Sequence, residues 1–298
     1  MLIKELLKEQ ESFSEIEKSI ANYFLNEKEN IKKEGIRKIA KKLYVAPSSI
    51  VRFCQKIGFE GLNEFKEQYV EELRYMSSNF QKINPNKPFE VTDDELEVSD
   101  KILSLYQETI NDTRSLFQSS VLKEASLMLD KETIYILTLS AQQGISMSFQ
   151  EKMRRIGKRV VVLKESHEIF FEIEHANPEK CAFLIISYTG ESEHCIICAQ
   201  KALEKHHNCV AITSYGINQL STLVNCSIRV SSKEKLVSNL GDFSFAISVM
   251  YVLDVLYSNI FNLRYEKNKL LKKESSSQDS QPSIVPRGRR SNNPLLSE

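Results

Sequence analysis

The spacing of apolar residues changes character at about residue 133, and this change constrains the fold of the 298-residue chain more than any single motif. Before it, apolar positions keep helical spacing, as with Ile36, Ile39, Ala40 and Leu43 at i, i+3, i+4 and i+7. After it, short apolar runs stand at 134–139, 160–163, 182–187, 209–213 and 228–230. Runs this short, bounded by segments long enough for a helix or turn, read as strands buried on both faces. Alternation of strand and helix argues for a parallel sheet with right-handed crossovers. The pattern predicts an all-α N-terminal bundle followed by a three-layer α/β domain with a parallel five-stranded sheet, covered by a last amphipathic helix from about 243 to 261.

Domain boundaries follow from composition. Residues 1–76 form the helical unit and 77–95 a linker, with Pro85 and Pro88 among asparagines. Residues 96–266 form the second domain. Residues 267–298, with a serine run and Pro282, Pro286 and Pro294 among arginines, are expected to be a disordered tail. No unbroken run approaches the roughly 18 apolar residues of a membrane span. The first residues, MLIKELLKEQE, lack the apolar centre and cleavage site of a signal peptide, so no membrane partner and a cytoplasmic address are expected. Six cysteines sit mostly in apolar stretches and read as small buried hydrophobes. Cys195 and Cys198 have metal or redox spacing, but no second pair follows them. They read as helical core, and neither a metal nor a cofactor is expected.

Charge singles out one part of the helical unit. From Lys28 to Gly58 there are nine basic residues against two acidic ones, in a chain whose formal net charge is zero. A local excess of this kind suits a polyanion. Two apolar stripes, the second at Ile50, Val51, Phe53, Cys54 and Ile57, flank the corner Tyr44-Val45-Ala46-Pro47. Pro47 suits the first turn of the second helix and Gly58 its C-terminal cap. The result is a helix-turn-helix whose second helix offers Ser48, Ser49, Arg52 and Gln55 to a major groove. Arginine pairs bidentately with guanine and glutamine with adenine, so Arg52 and Gln55 are expected at base edges. Ser48, Ser49, Lys38 and Lys42 are expected at the DNA backbone.

A second candidate site follows the run at 182–187. Ser187-Tyr188-Thr189-Gly190-Glu191-Ser192 leads into a helix, at the carboxyl end of a strand where open α/β sheets bind ligands. Hydroxyls at 187, 189 and 192, a glycine that lets backbone approach, and free amides at the helix start make a phosphate cradle. The alternative is an ordinary turn in which Ser192 caps the helix.

These segments together resemble the RpiR-type (MurR/RpiR) bacterial transcription regulators. The resemblance is carried by FSEIEKSIANYFLNE, by IRKIAKKLYVAPSSIVRFCQKIGFEGLNEFK, by IISYTGES and by AITS at 211–214, and it spans Phe13 to about Phe261. It implies an N-terminal helix-turn-helix joined to a flavodoxin-like sugar isomerase (SIS) domain that senses a phosphosugar, in a homodimer or homotetramer on a palindromic operator. By resemblance Ser187, Thr189, Gly190 and Ser192 hold the phosphate, with Ser140 and Gln142 from the first loop. That loop, Thr138 to Gly144, departs from the family's glycine- and serine-rich form, and Ala46 stands where a serine commonly caps the recognition helix. Three functions are open: a phosphosugar-responsive regulator, a phosphosugar isomerase using Glu191, Glu234 or His194 as base, and a DNA-binding protein whose SIS unit only dimerises. The attached DNA-binding unit and the altered first loop favour the regulator over an enzyme.

Overall fold

The computed structural model describes residues 2–77, 83–138, 142–163, 166–231, 233–235 and 238–279. Its N-terminal unit comprises α1 (Ile3–Leu6), α2 (Glu15–Glu27), a 3-10 segment (Lys28–Lys33), α3 (Ile36–Leu43), α4 (Pro47–Lys56) and α5 (Leu62–Ser77). A capping box starts α2, with the Glu17 carboxylate accepting from Ser14 N–H at 2.7 Å and Ser14 Oγ accepting from Glu17 N–H. Tyr44 ends α3 in the left-handed region at φ 55°, and this brings Val45 N–H back to Ala40 O at 3.0 Å. The chain has then turned far enough for Pro47 to open α4 with its fixed φ, while Ala46 supplies no side-chain cap. Gly58, at φ 97°, closes α4 as expected and lets Phe59 N–H reach Cys54 O. Ile20, Phe24, Ile39, Ile50, Phe53 and Phe65 are all buried in one core, where Phe24 and Phe65 stack at 4.5 Å. Burying each such side chain stabilises the unit by about 1.5–3 kcal/mol.

Asp94 caps α6 (Glu95–Ser115) in a second capping box with Glu97, and α7 (Ser119–Leu129) follows. Then come β1 (Thr133–Thr138), α8 (Gln142–Arg154), β2 (Arg159–Leu163), α9 (Ser166–His175), β3 (Cys181–Ile186), α10 (Glu193–Glu204), β4 (Asn208–Ser214), α11 (Gln219–Leu223), β5 (Cys226–Val230), α12 (Phe243–Leu263) and α13 (Tyr265–Asp279). The strands lie in the order β2-β1-β3-β4-β5, all parallel, with Ile134 opposite Val160 on one side and Ala182 on the other. Alternation along each strand divides the core in two. Ile134, Ile136, Leu184 and Val210 face α7, α8 and α12, whereas Tyr135, Leu137, Phe183 and Ala211 face α9, α10 and α11. Central strand β3 is buried at every position for that reason, and the three-layer expectation stands.

One expectation needs correction. Helical structure continues through α13 to Asp279, where the sequence reads as tail from 267. Asn268 is buried and its side chain donates to Phe261 O at 3.0 Å, while Leu271 lies against Gly157, so this part of the tail is docked. Residues 280–298 lie outside the described residues. In addition α12, with 21 residues, is long and apolar enough to cross a membrane by length and composition. Here it is a core helix: Val249, Val252, Leu253, Leu256 and Ile260 pack on the sheet, and Asp254 pairs with Lys152 of α8.

Candidate DNA interface and effector pocket

Helix α4 buries Ile50, Phe53 and Cys54 and turns Ser48, Arg52 and Gln55 to solvent. The spacing i, i+4, i+7 places these three on one face, with Ser49 half-buried at its edge. Among the described residues the Arg52 guanidinium has no ion-pair partner. Gln55 makes one long bond, donating to Glu60 O at 3.4 Å.

Helix α3 is organised differently. Lys42 Nζ lies 2.7 Å from Glu34 Oε1 and 3.6 Å from Glu27, and it donates to Tyr23 Oη at 2.9 Å. Lys38 reaches the same Glu34 oxygen at 2.8 Å, and Tyr23 donates its hydroxyl hydrogen to Glu34 Oε2. Hydrogen bonds from Lys38, Lys42 and Tyr23 hold the Glu34 carboxyl down to about 2, and Glu34 in turn raises Lys42 above the usual lysine range. The two lysines read from the sequence as DNA backbone contacts are thus the cations that fasten α3 to α2 and the 3-10 segment. Arg37 and Lys41 are exposed on the same helix without such a partner among the described residues. Charge counting could not separate the two pairs, because the separation depends on which lysines face the buried Glu34.

At the carboxyl ends of β1 and β3 lies a cavity of about 230 Å³. This is where strand order reverses, since the chain leaves β1 for β2 on one side and returns to β3 on the other. Gln142, Ser187, Thr189 and Ser192, four of the residues expected to hold an effector, line it together. Ser187 Oγ accepts from Gly190 N–H at 3.3 Å and Thr189 Oγ1 from Glu191 N–H at 3.1 Å, so the hydroxyls that shape the loop also face the cavity. Ser192 stands at the cap position of α10 without a side-chain cap bond, which leaves the first amides of that helix without a side-chain acceptor.

Gly190 does not line the cavity. Its φ is 66°, and a Cβ on it would fall 2.0 Å from Asn218 Oδ1. The glycine makes room for Asn218 behind the loop rather than for a ligand in front of it. Ser140 lies outside the described residues.

Of the opposite wall the sequence points only to Glu234, as a candidate base. Glu234, Lys235, Asn239 and Asp242 come from the segment before α12, and Phe245 from its first turn. Lys235 brings the cavity a cation, beside the carboxyl groups of Glu234 and Asp242. Glu234 is buried; its two oxygens accept from Ser244 N–H at 3.2 Å and Phe245 N–H at 3.0 Å, and burial outweighs these bonds to push its carboxyl up. Among the three candidate bases only Glu234 reaches the cavity. Glu191 accepts from Gln219 N–H, and His194 sits beside Cys198 and Phe170. Cys195 and Cys198 are buried against β3, and burial pushes Cys198 up to about 11, the reverse of a ligating or reactive thiolate.

The family models match these two regions in turn. A helix-turn-helix domain of the rpiR family covers residues 1–75, and a SIS domain covers residues 127–258. The chain belongs to the RpiR type of transcription regulator. In solved structures its fold is similar to that of NanR from Vibrio vulnificus complexed with ManNAc-6P, at 18% identity and a TM-score of 0.59, over 93% of this chain and 97% of that one. The sugar isomerase domain of an RpiR transcription factor from Sphaerobacter thermophilus matches at 12% identity and a TM-score of 0.53, over 60% and 98% of the two chains. A putative sugar-phosphate isomerase from Listeria monocytogenes matches at 14% and 0.51, over 61% and 99%. At these identities the likeness concerns the fold. The RpiR helix-turn-helix assigns DNA binding to the N-terminal unit, and the SIS domain assigns carbohydrate-derivative binding to the other.

Proposed function

We propose that this RpiR-type protein binds a palindromic operator as a homodimer or homotetramer through α4, and that a phosphosugar in the cavity between β1 and β3 changes that affinity. The observation that carries the reading is the convergence of Ser187, Thr189, Ser192 and Lys235 on the free amide end of α10. Hydroxyls, backbone N–H groups and one cation together match a phosphate dianion. Gln142, Asn239 and Asp242 supply donors and acceptors for sugar hydroxyls. On DNA, Arg52 and Gln55 read base edges, while Ser48, Ser49, Arg37 and Lys41 meet phosphates. The site of action is then the cytoplasm.

Glu234 favours a second reading, a phosphosugar isomerase, because a buried carboxyl in a cavity can serve as base. Both of its oxygens already hold amides at the start of α12, an arrangement that suits a cap and speaks for the regulator. Thermal-shift screening against phosphorylated hexoses and amino sugars, beginning with ManNAc-6P, tests the regulator: one or more should raise the melting temperature without being converted. Robust ketose–aldose turnover abolished by Glu234→Gln would replace this reading with the enzyme. Absence of any shift across the screen would leave a SIS unit that only dimerises.

A further inference from the structure

Residues 214–218, from the last residue of β4 to the cap of α11, touch the loop after β3 on one side and the N-terminal unit on the other. Behind the loop the contacts are largely backbone bonds. Ser214 N–H donates to Tyr188 O at 3.0 Å and Leu220 N–H to Gly190 O at 3.0 Å, while Gln219 N–H donates to the Glu191 carboxylate at 3.1 Å. Asn218, almost fully buried, fills the space that Gly190 leaves open, and its side chain donates to Thr213 Oγ1 at 3.2 Å. A displacement of the loop is therefore met by two backbone bonds and a buried amide, with the exposed Glu191 carboxylate the one flexible side chain among them.

On its other side the segment enters the N-terminal unit. The Tyr215 ring lies 4.2 Å from that of Tyr75 near the end of α5, and Tyr75 Oη donates to Asp112 of α6 at 2.7 Å. Ile217 packs against the same core that holds Phe24, Phe53 and Phe65 under the recognition helix. From the sheet side, Arg229 donates to Gly216 O at 3.0 Å and lies over the Tyr215 ring. A cavity of about 440 Å³, lined in part by Gln68, Glu71 and Tyr215, adjoins the segment and leaves it room to shift.

We propose that residues 214–218 are the mechanical link between the loop after β3 and the helix-turn-helix unit, with Ile217 and Tyr215 as positioning residues for α5. Its regulatory meaning rests on the reading of Ser187–Ser192 as the effector loop; the link itself is a property of the packing. Drawing the loop toward a phosphate pulls on Tyr188 O, Gly190 O and the Glu191 carboxylate. These hold the amides of Ser214, Leu220 and Gln219, so the pull reaches Ile217, half-buried against the other unit's core. Two packed arrangements of one segment, each favoured by one ligand, are what energetic coupling between sites requires.

Hydrogen-exchange mass spectrometry on the full chain tests this without any ligand. Gly190→Ala drives a methyl into Asn218 and is the strong perturbation; Glu191→Ala removes one exposed acceptor and is the mild one that the fold tolerates. The stronger variant that folds should speed exchange in α5 by about threefold or more, the size expected for a coupled position. In an Ile217→Ala background the same change should leave α5 at the rate of Ile217→Ala alone. Faster exchange confined to residues 187–220, with α5 as in wild type, overturns the link, and so does an α5 effect that persists undiminished in Ile217→Ala. The exchange result stands whether or not ManNAc-6P raises the melting temperature, so failure of the effector reading is seen separately.

Discussion

The recognition face of α4 and the loop after β3 both set hydroxyls near a helix N-terminus, yet they hold their side chains in opposite ways. On α4, Ser48, Arg52 and Gln55 extend into solvent with little internal bonding. In the loop, Ser187 and Thr189 are tied to their own backbone, and Gly190 is fitted against Asn218. The first surface is free to adapt to whatever it meets; the second is held in place by its own hydrogen bonds. Substitutions on the two surfaces should therefore fail in different ways.

The largest expected effect sharpens that contrast. Ser187→Ala combined with Ser192→Ala should erase the phosphosugar-induced rise in melting temperature while operator affinity, measured by fluorescence anisotropy, stays at the wild-type value. Arg52→Ala should do the reverse, lowering specific affinity by about 1–3 kcal/mol and leaving the melting shift intact. If either variant alters both readouts equally, the two surfaces are not separable in the way their geometry indicates.

Smaller effects concern α3. Lys41→Ala should reduce the slope of log affinity against log salt by about one, with no change in the unfolding midpoint. Lys42→Ala should lower the thermal midpoint, because it removes a partner of the buried Glu34, and its loss of DNA affinity should track that destabilisation. A salt slope flattened by Lys42→Ala in a fully folded domain would return this residue to the DNA backbone, where the sequence reading had placed it.

The smallest effect is on pH dependence. Glu34 has a folded value of about 2 against an ordinary 4.5. A depressed carboxyl contributes stability that is present above its unfolded value and is lost as pH falls through the folded one. Glu34→Gln should therefore flatten the acid limb of stability between about pH 4.5 and 2 in urea titrations. Glu72 has the opposite sign: burial pushes it up to about 7 while it accepts from Ile3 and Lys4 N–H, so its contribution is present below about 4.5 and is lost as pH rises toward 7. Glu72→Gln should leave the acid limb unchanged.

What was legible in the chain follows the same division between local and distant. The helix-turn-helix could be read because its signals lie within a few residues of one another: the stripes at Ile36–Leu43 and Ile50–Ile57, Pro47 at a helix start and Gly58 at its end. The sheet was legible because strands covered on both faces carry unbroken apolar runs, as β3 does. The loop Ser187–Ser192 showed itself as a turn between a strand and a helix. Lys235, Asn239 and Asp242 did not, since what makes them a wall of the cavity is the return of the chain before α12, more than forty residues later. Nor could composition tell that Gly190 serves Asn218, or that Lys38 and Lys42 are occupied by Glu34. The docked start of the tail was hidden by its polarity; its anchors are Asn268, a polar residue, and the single Leu271.

The account depends most on α4 gripping duplex DNA under control of the cavity in the SIS domain. Its most direct test is an anisotropy titration of the full chain on duplex from its own upstream region and on random duplex, at moderate ionic strength, with and without a phosphosugar that raises the melting temperature. The account predicts tighter binding to the native sequence and a change in that preference when the phosphosugar is added, both lost in the appropriate variant, Arg52→Ala for the first and Ser187→Ala with Ser192→Ala for the second. Equal binding to both duplexes under every condition would contradict it.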